Sequence, residues 1–212
     1  MSDLKVDGIT AATANTAVTI KGLGTGKVVL GDGNLVFPDA DGAAGTFITT
    51  NGSAALSFST AGGKLLQVQY TDTGAVATGT TTMPHDDTIP QNTEGDEYLT
   101  LAITPSASAN RLIIMANLNM SNSNASTEMV MALFQDSTAG ALAAVENLQP
   151  ASAAHGTIMT LIFEMAAGTT SSTTFKIRAG ANVGTTTLNG LSGGRRLGGA
   201  HVSSLMIMEK ET

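Results

Sequence analysis

The chain is predicted to be all-β, with a turn-dense N-terminal region followed by a β-sandwich. Three observations predict it. The 212 residues include 24 glycines, only 13% charged and 4% aromatic side chains, and abundant Ala, Thr, Ser and Asn. That mixture is too apolar for a disordered chain and too poor in Leu, Glu and Lys for a helical one. Thirteen of the glycines lie within the first 80 residues, where short apolar runs are separated by turn signals. From residue 89 onward the apolar runs lengthen and take on the period-2 or two-sided character of sandwich strands.

In order along the chain, short strands are predicted at 17–20, 27–30, 34–37, 45–49, 54–58 and 64–70. Between Phe37 and Phe58 the turns have identifiable chemistry. Pro38 fixes φ, Gly42, Gly45 and Gly52 permit positive φ, and Asn51-Gly52 is a strong hairpin signal. So thin a unit cannot bury its apolar residues against itself and needs identical copies around it. The small, polar stretch 71–88, with Pro84 near its end, predicts the domain boundary. The chain is thereby divided into a β-rich shaft or attachment region, 1–82, and a head, 83–212.

Within the head, 97–104 alternates with Leu99, Leu101 and Ile103 on one face. The stretch 173–179 alternates with Phe175, Ile177 and Ala179 inward and Lys176 and Arg178 in solvent. The runs 112–116, 129–134, 158–163 and 205–208 are apolar on both faces. One face of each packs on the opposite sheet, so the other must be covered, and the simplest cover is another subunit. Adding a strand near Thr80 and one at 139–146, for which a short helix is the alternative, gives about eight strands, the number of a jelly roll. Eight of the ten methionines fall between 115 and 208. They are predicted to pack in the sheet core and around a threefold axis, with Met129, Val130, Met131, Phe134, Met159, Leu161, Phe163, Met206 and Met208 as candidates for core or trimer interface. In 129–134, period 2 separates Met129, Met131 and Leu133 from Val130, Ala132 and Phe134 without saying which set faces inward.

The chemistry that the composition excludes is broad. Cys is absent, which removes disulfides and thiolate catalysis. A net charge of −7 argues against nucleic acid as a partner, since phosphate backbones are met by clustered Lys and Arg and only Arg195-Arg196 pairs two cations in sequence. No apolar run approaches the roughly 20 residues of a membrane span, and the first residues carry no secretory signal, so synthesis without Sec export and no membrane insertion are expected. His85-Asp86-Asp87 has the residue types of a metal or acid–base cluster but no second His nearby, and reads as a polar loop. Asp39-Ala40-Asp41-Gly42 opens like a calcium loop, yet Phe47-Ile48 stands where the bidentate Glu belongs. His155 and His201 are isolated and read as hydrogen-bonding residues of a turn and a strand start. Residues 22–26 lack the Lys of a phosphate loop, and the absence of Trp disfavours a sugar-cleaving groove. No catalytic residue, metal or cofactor is predicted.

Two stretches resemble known virion proteins. Residues 37–58 resemble the F-P-x-x-D-G-x-x-G-x-x-L-x-T-D-G-x-G-x-L-x-W segment of bacteriophage tail fibres, with Asn51 for the usual Asp and Phe58 for the usual Trp. Residues 83–97, with 132–136 and with Asn189-Gly190 ahead of 195–199, resemble a C-terminal domain of phage fibre and head-fibre proteins, similar in architecture to the trimeric jelly rolls of the tumour-necrosis-factor-like class. The resemblance implies a homotrimeric structural virion protein made in a bacterial cytoplasm, not an enzyme. Its N-terminal region would bind other virion proteins of tail or capsid, and its head loops would contact a host-surface glycan or protein. A tail fibre and a head-fibre or capsid decoration protein fit the same residues; a fibre-borne polysaccharide hydrolase and a lectin-like adhesin are the rivals from other classes.

Overall fold

The computed structural model describes residues 29–30, 35–36, 42–50, 56–59, 64–152 and 155–212. The chain divides into two compact units, Met1–Ala61 and Gly62–Thr212. In the first unit, β1 (Val29–Leu30) pairs antiparallel with β2 (Leu35–Val36), and β3 (Phe47–Thr50) with β4 (Leu56–Ser59). A turn precedes β3: Thr46 donates both its N–H and its hydroxyl to Ala43 O, at 3.1 and 2.7 Å, and Gly45 takes φ 84. Phe47 and Ile48 of β3 remain 62% and 51% exposed. The strand expected at 17–20 and the Asn51-Gly52 turn lie outside the described residues.

The second unit is a two-sheet sandwich of antiparallel strands. Its eight principal strands are β5 (Leu65–Thr73), β7 (Asp96–Ile103), β8 (Arg111–Asn122), β9 (Glu128–Gln135), β10 (Ala143–Leu148), β11 (Thr157–Ala166), β12 (Thr173–Ala181) and β16 (Ser203–Lys210). One sheet runs β5-β16-β8-β11 and the other β7-β12-β9-β10. Counted along the chain, that is first-eighth-third-sixth facing second-seventh-fourth-fifth, the strand order of a jelly roll. Four short strands finish one end of the sandwich: β6 (Ala77–Gly79), β13 (Thr186–Leu188), β14 (Gly190–Leu191) and β15 (Gly194–Arg195). Beyond the end of β16, β13 takes its place beside β8 and β6 pairs outside it.

The interior follows from alternation. Leu112, Ile114, Ala116, Leu118 and Met120 of β8 face Met129, Met131 and Leu133 of β9 and Phe175, Ile177 and Ala179 of β12 in one continuous core. Met159 and Leu161 of β11 and Leu205 and Ile207 of β16 complete it, with Phe163 packed at its margin.

Three expectations are corrected here. The boundary falls between Ala61 and Gly62, not within 71–88. Thr71–Thr73 belong to β5, which pairs with β16 from Ser203↔Thr73 to Lys210↔Leu65, so the first sandwich strand was assigned to the shaft. The head strand expected near Thr80 is the short β6, an appendage to β13, and the strand expected at 139–146 runs instead from Ala143 to Leu148.

Candidate functional site: the outer faces of the two sheets

Both sheets carry apolar side chains on their outer faces, and the two faces differ in what covers them. On β9, Val130, Ala132 and Phe134 point outward and are buried, forming a small second core with Met83, against which Ala141 packs. The cover is the chain's own segment 81–95. Thr81 donates its N–H and hydroxyl to the Asp96 carboxylate at 3.0 and 2.9 Å. Met83 N–H donates to Ala181 O at 3.2 Å, Gly95 N–H to Thr82 O at 2.9 Å, and Ala141 N–H to Pro90 O at 2.9 Å. Arg178 donates to the carbonyls of Glu94 and Gly95, at 2.8 and 2.6 Å, besides approaching Glu97. Gly180 permits the crossing, because a Cβ there would lie 2.9 Å from Thr81 O and 3.0 Å from Met83 Cβ. Another subunit was expected over this face; a fully buried Met83, anchored on both sides, occupies it instead.

His85, on the same segment, is in an ion-pair contact with Glu146 of β10. Below them is a cavity of about 250 Å³ walled by Pro84, Thr88, Pro90, Val130 and Val145. Among the described residues no three His, Asp or Glu side chains converge to hold a metal ion.

Among the described residues of the unit, none covers the outer face of β5-β16-β8-β11 in this way. Cross-strand register sets its side chains in rows. Ile162, Met115, Met206 and Tyr70 lie side by side across the four strands, and Glu164, Ile113, Met208 and Val68 form the adjacent row. Ile162 is 64% exposed, Tyr70 57% and Val68 45%, while Met115, Ile113, Met206 and Met208 are half-buried. Polar rows border the band: Thr160, Asn117, Ser204 and Asp72 on one side, Arg111 and Lys210 on the other, with Arg111 paired to Glu164 at 3.0 Å. An apolar centre with a polar rim is the anatomy of a protein interface.

The sequence candidates therefore separate. Met129, Met131, Met159, Leu161 and Phe163 belong to the sandwich core, Val130 and Phe134 to the small second core, and Met206 and Met208 to the open face. Missed on that face were Val68, Tyr70, Ile113, Met115 and Ile162; the exposed partners in β11 were in the other parity set from the ones chosen.

Two titratable groups are shaped by the fold. Glu209 is fully buried on the inner side of β16. Its carboxylate accepts from Ser106 N–H at 2.8 Å, Ser106 Oγ at 2.7 Å, Asn110 Nδ2 at 2.6 Å and Gln67 Nε2 at 2.5 Å. Burial alone would raise its pKa, but hydrogen bonds from Asn110, Gln67 and Ser106 outweigh that and hold it at about 2. Burial, and secondarily the charge of Asp96, pushes the Tyr98 phenol up. His201 Nδ1 is buried without a hydrogen-bond partner, against the expectation of a hydrogen-bonding role, and the His155 carbonyl accepts from Gln149 at 2.5 Å.

No protein-family model matches the chain, and no curated protein matches it. Among solved structures it is similar to latent PorU from Porphyromonas gingivalis at 9% identity and a TM-score of 0.38, over 71% of this chain and 14% of that one. It is similar to murine APRIL at 11% identity and 0.37, over 68% of this chain and 99% of that one. It also matches a structure of infectious bursal disease virus, Gx strain, at 12% and 0.34, over 74% and 39%. The chain thus spans a small part of PorU and most of APRIL; at these values the likenesses have no bearing on function.

Proposed function

We propose that this chain is a structural, non-catalytic protein of a bacteriophage particle, a homotrimeric fibre whose jelly-roll head meets the host surface. The carrying observation is the uncovered apolar band of Ile162, Met115, Met206 and Tyr70 beside Ile113, Met208 and Val68, in a unit that covers its other apolar outer face with its own chain. A second and third copy, packed face to face around an axis beside this sheet, remove the band from water. The resemblance of 37–58 to tail-fibre segments supports the virion setting, and that region is assigned the contacts to tail or capsid proteins.

Light scattering of the purified chain should give about three times the 21.4 kDa subunit mass at micromolar concentration. A stable monomer would overturn the assembly. Labelled particles viewed by electron microscopy should carry the protein on tail or head, and label on neither would overturn the virion role.

A further inference from the structure

Strand β11 is an edge of its sheet. Among the described strands it pairs only with β8, in a register that runs without a shift over ten residues, from Thr157↔Met120 to Ala166↔Arg111. The other edges are blunted. The pairings of β5 and β7 each contain a register shift, and β10 is six residues long and carries Glu146, the partner of His85. β11 has no Pro, Gly or Lys, and its one charged residue, Glu164, is paired with Arg111.

Which backbone groups reach that edge follows from β8. Asn119 N–H donates to Ser203 Oγ at 2.9 Å and its carbonyl accepts from Asn189 N–H at 2.9 Å, so the odd-numbered residues of β8 turn both groups toward β16 and β13. The even-numbered ones therefore bond β11, and their partners there are odd: Met159 opposite Leu118, Leu161 opposite Ala116, Phe163 opposite Ile114. Ile158, Thr160, Ile162 and Glu164 are left with N–H and C=O aimed at the free edge. The carbonyl of Ile158 confirms the direction, because it accepts from Asn147 Nδ2 of β10 at 3.2 Å and keeps its second lone pair. Among the described residues no other hydrogen bond reaches this row. On the same residues, the Ile158 and Ile162 side chains are 61% and 64% exposed.

We propose that β11 pairs antiparallel with β11 of a second copy, about a twofold axis at Thr160. The free groups belong to even-numbered residues, so the sheet can continue only where even stands opposite even. With the axis at Thr160, each Ile158 lies opposite the partner's Ile162, Thr160 lies opposite itself, and Glu164 meets Gly156. An axis at Leu161 would set the Glu164 carboxylate against each Ile158, and one at Ile162 would set it against Thr160 and leave Ile158 beside Ala166. The Thr160 register also carries the apolar row of Ile162, Met115, Met206 and Tyr70 across the junction onto Ile158 of the copy. The contact is isologous and lies in the plane of the sheet, so it is separate from the face-to-face packing of the trimer and does not depend on it.

The test is sedimentation of the full chain over a range of concentration. An edge contact is smaller than a standard interface, so the mass should double at about 100 μM protein, well above the concentration at which the trimer forms. Thr160→Pro removes an N–H that bonds nothing in the subunit, a change an edge strand tolerates, and should abolish the doubling while the thermal melt is retained. Because the chain has no cysteine, a single introduced one reports the register. Thr160→Cys sets two thiols on Cα atoms about 5.5 Å apart, so mild oxidation should give covalent dimers. Ile162→Cys sets them about 13 Å apart along the strand and should give none. Absence of doubling, doubling that survives Thr160→Pro, or equal cross-linking of the two cysteine variants would overturn the proposal. So would doubling that Thr160→Pro abolishes without any Thr160→Cys dimer, since the edge would then be taking some other strand. The two readings fail separately: a trimer that never doubles removes the edge pairing alone, and a monomer that doubles removes the trimer alone.

Discussion

The outer faces of β9 and of the β5-β16-β8-β11 sheet begin from the same sequence property and end differently. Each puts large apolar side chains opposite the sandwich interior. Over β9, segment 81–95 is pinned at Asp96, Ala181 and Arg178 and lays Met83 on Val130, Ala132 and Phe134. Over Met115 and Met206 no described residue of the unit does the same, and Tyr70 and Ile162 at either side stay more than half exposed. An apolar second face thus demands a cover without naming its source, which is a nearby loop in one case and, on our reading, another copy in the other.

The comparison can be tested by loading each side of these strands. The largest effect should come from Met131→Glu, which places an unpaired carboxylate between the sheets, where Met131 is fully buried. The expected cost is several kcal/mol, and the head should show no cooperative melt by circular dichroism. Phe134→Ala empties the small second core; a loss of about 3 kcal/mol is expected, with the trimer intact. Dissociation into stable monomers instead would mean that the β9 face also meets a neighbour.

Met206→Glu reverses that pattern. Its side chain lies on the open face, so the subunit should fold with nearly unchanged secondary structure and sediment as a monomer. Trimers of normal thermal stability in this variant would place the interface elsewhere. The smallest effect concerns neither face. Because Glu209 is held at about 2 in the fold, below its ordinary value of 4.5, the unfolded chain takes up the proton first as pH falls. Its contribution is complete above about pH 4.5 and is lost between there and pH 2. Glu209→Gln should be less stable at neutral pH and should lack that share of the acid dependence in denaturant melts.

How much of this was legible in the sequence follows from the reach of each signal. Period 2 located β7 and β12, and runs apolar on both faces located β8, β9, β11 and β16, because both signals are local. The pairing of β5 with β16 joins residues at least 130 positions apart, so composition alone placed β5 with the glycine-rich region before it. Met83 stood in a polar stretch that read as a linker. A lone large apolar residue ahead of Pro84 was the only hint that the segment lies on a sheet. In β11 the pattern defined two sets of side chains, and choosing Met159, Leu161 and Phe163 selected the inner one. Glu209 had a usable signal: it shares parity with Leu205 and Ile207, so a carboxylate was bound to enter the core and to need donors there.

The place of β16 between β5 and β8 has a consequence for timing. During synthesis β5 and β8 emerge long before the strand that bridges them, so β5 has no partner in the sheet, and β8 has only β11 and β13 beside it, until residues 203–210 have left the ribosome. Met206 and Met208 arrive with that same strand. The face that would recruit other copies is therefore unfinished on every nascent chain, which delays self-association until the head can close.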